Sequence, residues 1–518
     1  MPILGKLLKQ GIKLRKSLEQ ERSQPYPLQR RQLLKHLLIA RNTQFSKAYH
    51  FDKIIASFDK KDHQNRDFYL RYKEEVPLFN YEKIYNQWWY RCREGEKDVT
   101  WRNQVDYFAL SSGTSEATSK YIPVNKDMVR AINRTGVRQI LSLSNFKDVP
   151  GNIYGKGMLM LGGSTHLNKR GTYFEGDLSG ITASQIPFWF QHFYKPGKKI
   201  AQTTDWDEKL HEITLKAPKW DIGFVVGVPA WIQIMMERII EHHKLETIHD
   251  IWPNFSVYTH GGVSFEPYKK GFETLLGRSI TYIETYLASE GFIGFQSHPD
   301  REMQLVLNNG IFFEFVPFNE QNFTPEGDLK ENAETLMIDE VEEGKDYAIL
   351  LSTCAGAWRY LIGDTVKFLS KEKAEIIITG RTKHFLSLCG EHLSVDNMNK
   401  AIETVSQELN LEVKEFTVAG IPYESLFAHQ WYIGSDSQVD LTLLKERLDQ
   451  TLKDLNDDYR VERLAALKDI DVQVLPTSLF YKWLESKGKV GGQNKFPRVL
   501  KQQQHQDWKQ FITQHLNN

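Results

Sequence analysis

Short apolar runs, bounded by Gly, Asn or Pro, recur along the chain from Asp106 onward, and stretches with helical periodicity lie between several of them. The runs are 107–110, 157–161, 223–228, 255–259, 280–284 and 310–316; the helical stretches include 127–143 and 230–243. Strands alternating with helices predict α/β layers around a buried sheet. Residues 28–90 differ. They read as helices joined by short loops, with Leu33, Leu34, Leu37, Leu38 and Ile39 forming one apolar face. At 518 residues the chain exceeds one ordinary core. A second unit starts near Gly380, with 374–381 as the junction. Beyond it a strand, a helix (395–409), two strands (412–420, 427–434), a helix (441–455), a strand (469–474) and a last helix (478–485) suit a small α+β domain. The expected division is a large N-terminal α/β domain over 1–378 and a small C-terminal domain over 379–518.

Charge and cysteine usage narrow the function classes. Lys plus Arg and Asp plus Glu both number 66, so the chain lacks the basic excess that marks nucleic-acid or anionic-membrane partners. No run of about 18 apolar residues occurs, so no membrane span is expected. Residues 1–20 are interrupted by Lys6, Lys9, Lys13, Arg15 and Lys16, unlike a secretory signal; their apolar residues predict an amphipathic helix docked on the body. Cys92, Cys354 and Cys389 are an odd, widely spaced set with no CxxC pair. They predict neither a disulfide framework nor a zinc site, and suit a reducing, cytoplasmic compartment.

Five local motifs carry chemistry. In Ser111-Ser-Gly-Thr-Ser-Glu-Ala-Thr-Ser-Lys120, seven of ten residues are Ser, Thr or Gly. Small side chains let backbone N–H groups approach phosphate oxygens, hydroxyls add donors, and Lys120 adds a point charge. Pro123 behind it excludes a helix, so the loop reads as a strand–loop–strand hairpin; the alternative to a phosphate loop is a polar surface turn. Tyr286-Leu-Ala-Ser289-Glu290-Gly291 follows an apolar run and places a carboxylate where α/β folds bind ligands; Glu290 is a candidate oxygen ligand for Mg²⁺. Trp358-Arg-Tyr-Leu-Ile-Gly363-Asp364 predicts a tight turn presenting Asp364 to ribose hydroxyls. Gly380-Arg381-Thr-Lys383 sits on the junction, with Arg381 in reach of a ribose and Lys383 at the hinge. Gly-rich 487–498 makes a loop that can carry Lys495 into a cleft; a solvated basic tail is the plainer reading. HExxH, GxSxG and a helix-opening GxGxxG are all absent.

The order of these motifs resembles the adenylate-forming superfamily. The closer likeness is to the auxin-responsive Gretchen Hagen family of acyl acid amido synthetases. Asp106-Tyr-Phe-Ala-Leu-Ser-Ser-Gly-Thr-Ser, with Ser119-Lys-Tyr-Ile-Pro-Val124 behind it, is similar to that family's opening motif. Val76-Pro-Leu-Phe-Asn-Tyr81, Ala40-Arg-Asn-Thr-Gln-Phe45 and Gln493-Asn-Lys-Phe-Pro-Arg498 extend the likeness from about residue 30 to 500. Glu116-Ala117 departs from it, standing where many relatives have glycines; a Glu beside phosphates repels, and Ala tolerates positive φ less well.

The resemblance implies a large α/β domain with partial β-barrel character and a small mobile C-terminal domain. It implies ATP and Mg²⁺, a small carboxylic acid and an amino acid as substrates, and an amide, AMP and pyrophosphate as products. Ser111, Ser112, Gly113, Thr114, Ser115 and Lys120 would hold phosphates, Tyr286 and Ser289 would lie near adenine, and Glu290 would hold the metal. Asp364 and Arg381 would fix the ribose, and Lys495 would reach the α-phosphate. The acyl pocket is expected along 181–194 and 226–231. Two rival readings are an acyl-CoA ligase with a thiol acceptor and a non-catalytic nucleotide-binding homologue.

Overall fold

The computed structural model describes residues 24–59, 61–62, 64–112, 119–186, 190–262, 265–324, 327–383, 385–424, 426–487 and 496–516. The helix expected over 1–20 lies outside them. The chain forms two compact units: Met1–Leu110 with Tyr121–Lys383, and Ser111–Lys120 with His384–Asn518. The change of unit falls at Lys383, a few residues beyond the boundary drawn from sequence.

The first unit opens with helices Pro25–Ala40, Gln44–Ala48, Phe51–Ala56 and Asp67–Glu75. Pro25 suits a first helical position, where no N–H is needed. Leu33 and Leu37 are fully buried, whereas Leu38 stays exposed, so the helix buries a narrower face than its leucines predict. Gln29 fastens this helix to the sheet: its Nε2 donates to the carbonyls of Leu307 (2.7 Å) and Ile311 (3.1 Å), and its Oε1 accepts from the Phe313 N–H (2.7 Å).

Two sheets follow. The small one has the order β2-β1-β5-β4 and contains β1 (Tyr107–Ser112), β2 (Ser119–Val124), β4 (Asn168–Arg170) and β5 (Tyr173–Gly176). The large one has eleven strands in the order β12-β13-β14-β15-β11-β10-β9-β8-β7-β3-β6. In chain order these are β3 (Gly157–Leu161), β6 (Tyr194–Lys195), β7 (Ile222–Gly227), β8 (Val257–Gly261), β9 (Thr281–Ala288), β10 (Gly291–Gln296), β11 (Met303–Leu305), β12 (Ile311–Pro317), β13 (Asp346–Thr353), β14 (Tyr360–Ser370) and β15 (Glu375–Arg381). Pairing is parallel from β6 to β9 and antiparallel from β9 to β12. No sheet among the described residues closes on itself, so the expected barrel character does not take the form of a closed barrel there.

Arg359 belongs to the core. Its guanidinium forms a buried ion pair with Glu314 (3.0 Å) and donates to Thr335 Oγ1 (2.8 Å) and the Val76 carbonyl (2.8 Å), while the Tyr69 hydroxyl donates to Glu314 (3.0 Å). The polar atoms of Arg359 and Glu314 thus meet partners, which offsets the cost of desolvating two charges. The arrangement ties the helix Asp67–Glu75 to β12 and β14.

In the second unit β16 (Phe385–Leu386) and β17 (Leu393–Ser394) form a hairpin. Strands β18 (Glu415–Tyr423), β19 (Leu426–Gly434), β20 (Leu467–Leu475) and β21 (Val499–Leu500) form a sheet of order β20-β19-β18-β21. Helices Val395–Glu408, Leu441–Leu455, Asp457–Leu464, Thr477–Ser486 and Gln502–Leu516 complete the α+β unit. The helix Gln502–Leu516 is not signalled by the sequence reading: Trp508 is fully buried against Phe480, Trp483 and Phe496.

Candidate functional site

Asp364 lies inside β14 and not in the expected tight turn. The β13–β14 register jumps from Ala348↔Thr365 to Leu350↔Leu361, and Gly363 at the bulge has φ +95°, a conformation that favours glycine. Beyond the bulge Asp364 pairs with Arg381 across β14 and β15. Arg381 Nε donates to Asp364 Oδ1 (2.7 Å), and the Tyr286 hydroxyl donates to Oδ2. The structure therefore joins Tyr286, Asp364 and Arg381, three residues selected separately from sequence. Burial, and then the Asp364 carboxylate, hold the Tyr286 phenol well above its ordinary range. Burial alone would lower the Arg381 guanidinium; Asp364 outweighs it and raises it. In the sheet order β15, β11 and β10 stand between β14 and β9. A flat sheet would hold β9 and β14 about 19 Å apart, four spacings of about 4.8 Å. Tyr286 reaches Asp364 because the sheet coils there.

Ser289 and Glu290 form the two-residue turn between β9 and β10, where Ala288 pairs with Gly291. The turn places Glu290 four residues from Tyr286, yet only 8% of its surface is exposed. Its carboxylate accepts the hydroxyl of Tyr360, a fully buried residue at the start of β14, and Glu290 also acts electrostatically on Arg381. Burial, then Glu290, raise the Tyr360 phenol well above its usual value. Tyr360 was not singled out from the sequence. Its signal was its position, four residues before Asp364 on one strand, so that the same strand serves both carboxylates. As a donor set for Mg²⁺ the cluster offers Glu290, a hard oxygen ligand whose several lone pairs are not exhausted by one phenol. Among the described residues no group of three or more His, Cys, Asp or Glu side chains is placed to hold a metal ion.

Ser111 and Ser112 end β1 and Lys120 lies in β2, so strands flank the Ser/Thr loop as expected; Gly113, Thr114 and Ser115 fall outside the described residues. Lys383 ends the first unit with its ammonium 2.9 Å from Asp328 Oδ1. Next to it the chain is tightly packed: a Cβ on Gly327 (φ +83°) would meet the Thr382 carbonyl oxygen at 1.9 Å. Lys495 also falls outside the described residues. Its neighbour Phe496 is buried, and Arg498 is anchored to Glu415 (2.6 Å) while lying over the Phe416 ring. Along the expected acyl pocket Ile181 is a core residue, Trp231 packs on Trp206 (4.8 Å), and 187–189 are not described. No helix of the described residues is long and apolar enough to cross a membrane.

Three family models match the chain: the GH3 family N-terminal domain over residues 14–217, the central domain over 304–376 and the C-terminal domain over 396–504. A jasmonoyl–L-amino acid synthetase of Oryza sativa subsp. japonica is 30% identical over 186 residues, 32% of this chain and 31% of the relative's length. The matched stretch thus spans about a third of that relative. Among solved structures, an acyl acid amido synthetase in complex with 2,4-DB superposes with a TM-score of 0.53 at 16% identity, over 93% of both chains. A 2-hydroxyisobutyryl-CoA ligase in complex with 2-HIB-AMP and CoA superposes with a TM-score of 0.54 at 10% identity, over 94% of this chain and 91% of that one. At such identities the structures show the fold. The family models together take in most of the chain and all three of the family's domains, and the chain belongs to the GH3 family.

Proposed function

We propose that the chain is an ATP- and Mg²⁺-dependent acyl acid amido synthetase that adenylates a small carboxylic acid and transfers the acyl group to the amine of an amino acid. The observation that carries this reading is the grip on Asp364, held on one oxygen by Tyr286 and on the other by Arg381 beside Glu290, in a GH3-family chain. A carboxylate fixed in this way presents oriented acceptors to a ribose diol without having to reorganise.

In the first half-reaction the substrate carboxylate attacks the α-phosphorus of ATP and pyrophosphate leaves. The protein aligns the reactants and spreads developing charge; it has little covalent chemistry to perform. Ser111, Ser112, Gly113, Thr114, Ser115 and Lys120 hold phosphates, Tyr286 and Ser289 lie near adenine, and Asp364 with Arg381 fixes the ribose. Glu290 would hold Mg²⁺, which would supply neutralisation of phosphate charge. Lys495, on the small C-terminal domain that turns about Lys383, supplies positive charge to the α-phosphate. In the second half-reaction the amine attacks the mixed anhydride and AMP leaves. The proposed setting is cytoplasmic.

The test is a screen of carboxylic acids against amino acids, read by pyrophosphate release and product mass. Amide products support the reading. Release of pyrophosphate with thioester formation when CoA is supplied would favour the thiol acceptor of the CoA-ligase neighbour. No release with any acid would leave a non-catalytic binding protein.

A further inference from the structure

His260 is the penultimate residue of β8, which has parallel neighbours on both sides. The carboxyl ends of such strands are where α/β sheets receive ligands. The side chain is only 8% exposed, and its Nδ1 is buried with no hydrogen-bond partner. Interior polar atoms are almost always satisfied, so an orphan imidazole nitrogen at a strand end points to a group that arrives with a ligand.

Its position relative to the nucleotide residues follows from register. His260 is paired with Glu284 across β8 and β9. Directly opposed residues of a parallel pair share a face, and alternate residues of β9 share that face too, so Glu284 and Tyr286 lie on the His260 side. His260 is therefore one rung, about 7 Å along the strand, from the residue whose hydroxyl holds Asp364. Tyr258 and Tyr282 lie on the rung below. Phe265 stacks on the imidazole (4.7 Å), and Phe272 of the covering helix Glu266–Thr274 packs on Tyr258. The titratable side chains of the two strands around His260 are thus Tyr258, Tyr282, Glu284 and Tyr286, with Glu273 of the helix acting on Tyr282. Burial pushes the imidazole down to about 4, and burial, then Glu302, raise the Glu284 carboxyl. The ring is accordingly uncharged at neutral pH and keeps one acceptor lone pair.

We propose that His260 accepts the proton released by the acceptor amine in the second half-reaction. This rests on the amido synthetase reading. The neutral amine forms a C–N bond to the acyl carbon while the carbonyl π pair moves to oxygen. The nitrogen, now cationic, gives a proton to the imidazole. Collapse of the oxyanion breaks the C–O bond to phosphate, and AMP leaves with that electron pair. The imidazolium returns its proton to solvent, so an acyl-adenylate and an amine give an amide, AMP and a proton.

The test uses the full-length chain and separates the half-reactions. His260→Asn and His260→Gln should leave acid-dependent pyrophosphate exchange little changed. Aminolysis of chemically prepared acyl-adenylate by the amino acid should fall by more than about tenfold, in the range of lost general-base catalysis. Hydroxylamine, a strong nucleophile largely unprotonated at neutral pH, should be far less affected as acceptor. Unchanged amino-acid aminolysis, or an equal loss with hydroxylamine, overturns the proposal. If neither variant folds, a solvent deuterium isotope effect on wild-type aminolysis supports it and the absence of one overturns it. Failure of wild type to release pyrophosphate with any acid overturns the activity itself, an outcome distinct from these.

Discussion

Replacing Glu391 by Gln should destabilise the second unit by about 3 kcal/mol at pH 7 and by much less in acid. Glu391 and His429 are both fully buried and lie 2.9 Å apart. The carboxylate also accepts the backbone N–H groups of Leu388 (2.9 Å) and Cys389 (3.0 Å) and the Cys389 thiol (3.3 Å). Burial alone would raise its pKa; the His429 hydrogen bond and charge, with the backbone donors, override burial and bring it from 4.5 down to about 2. A depressed carboxylate pKa contributes stability that is complete above the unfolded value and is lost as pH falls through the folded one. The window is therefore about pH 4.5 to about 2. A shift of that size is worth about 3 kcal/mol, at about 1.4 kcal/mol per unit. Urea unfolding at pH 7 and pH 3 checks this, and the wild-type advantage should shrink to less than half at pH 3. Hydrogen exchange of the slowest β19 amides should accelerate about 100-fold in the variant at pH 7. Equal stability at pH 7, or an undiminished gap at pH 3, refutes the reasoning.

Tyr286→Phe frees one oxygen of Asp364 and should raise the ATP dissociation constant about tenfold, the worth of one hydrogen bond to a charged group; an unchanged calorimetric Kd would detach this bond from nucleotide binding. Glu290→Gln should raise the Mg²⁺ concentration needed for half-maximal rate, and an identical titration would reduce Glu290 to a packing partner of Tyr360. Arg359→Met strands the Glu314 charge and should cost about 3–5 kcal/mol in thermal unfolding, whereas a near-neutral melt would mean that Glu314 finds water. Lys495→Ala should slow adenylate formation by more than about tenfold and aminolysis of prepared adenylate far less; equal effects on both steps would remove the lysine from phosphoryl transfer.

Legibility varied with how local the signal was. The run 157–161 became β3 and the helix 441–455 formed as read, because both are bounded by residues that stop their element. Strands β13 and β14 are not legible in the sequence, and Gly363-Asp364 reads as a turn: a bulge is a property of two paired strands, and nothing in Ile362-Gly363-Asp364 announces the register jump against β13. The helix Gln502–Leu516 was hidden by its polar composition, although Trp508, Phe511 and Ile512 have helical spacing. Tyr286, Asp364 and Arg381 were legible as separate candidates, but their meeting depends on sheet coiling, which no spacing encodes. Tyr360 and His260 escaped for a related reason: one reads as a core tyrosine, the other sits one residue past the end of its apolar run.

Strand β11 contributes no side chain to the Tyr286–Asp364–Arg381 cluster, yet it governs the tolerance to which that cluster is built. Its three residues are the link through which β10 pairs toward β15, with Met303 opposite Gln296 on one side and Ile376 on the other. Slippage by one residue would displace the β9–β10 hairpin against β14–β15 by about 3.3 Å and turn Met303 from the interior to the outer face. That is more than a hydroxyl–carboxylate contact can absorb. Residues 303–305 thus work as the alignment pin of an instrument whose moving parts lie elsewhere. Variants there would misalign the two hairpins while Tyr286, Asp364 and Arg381 themselves stay intact.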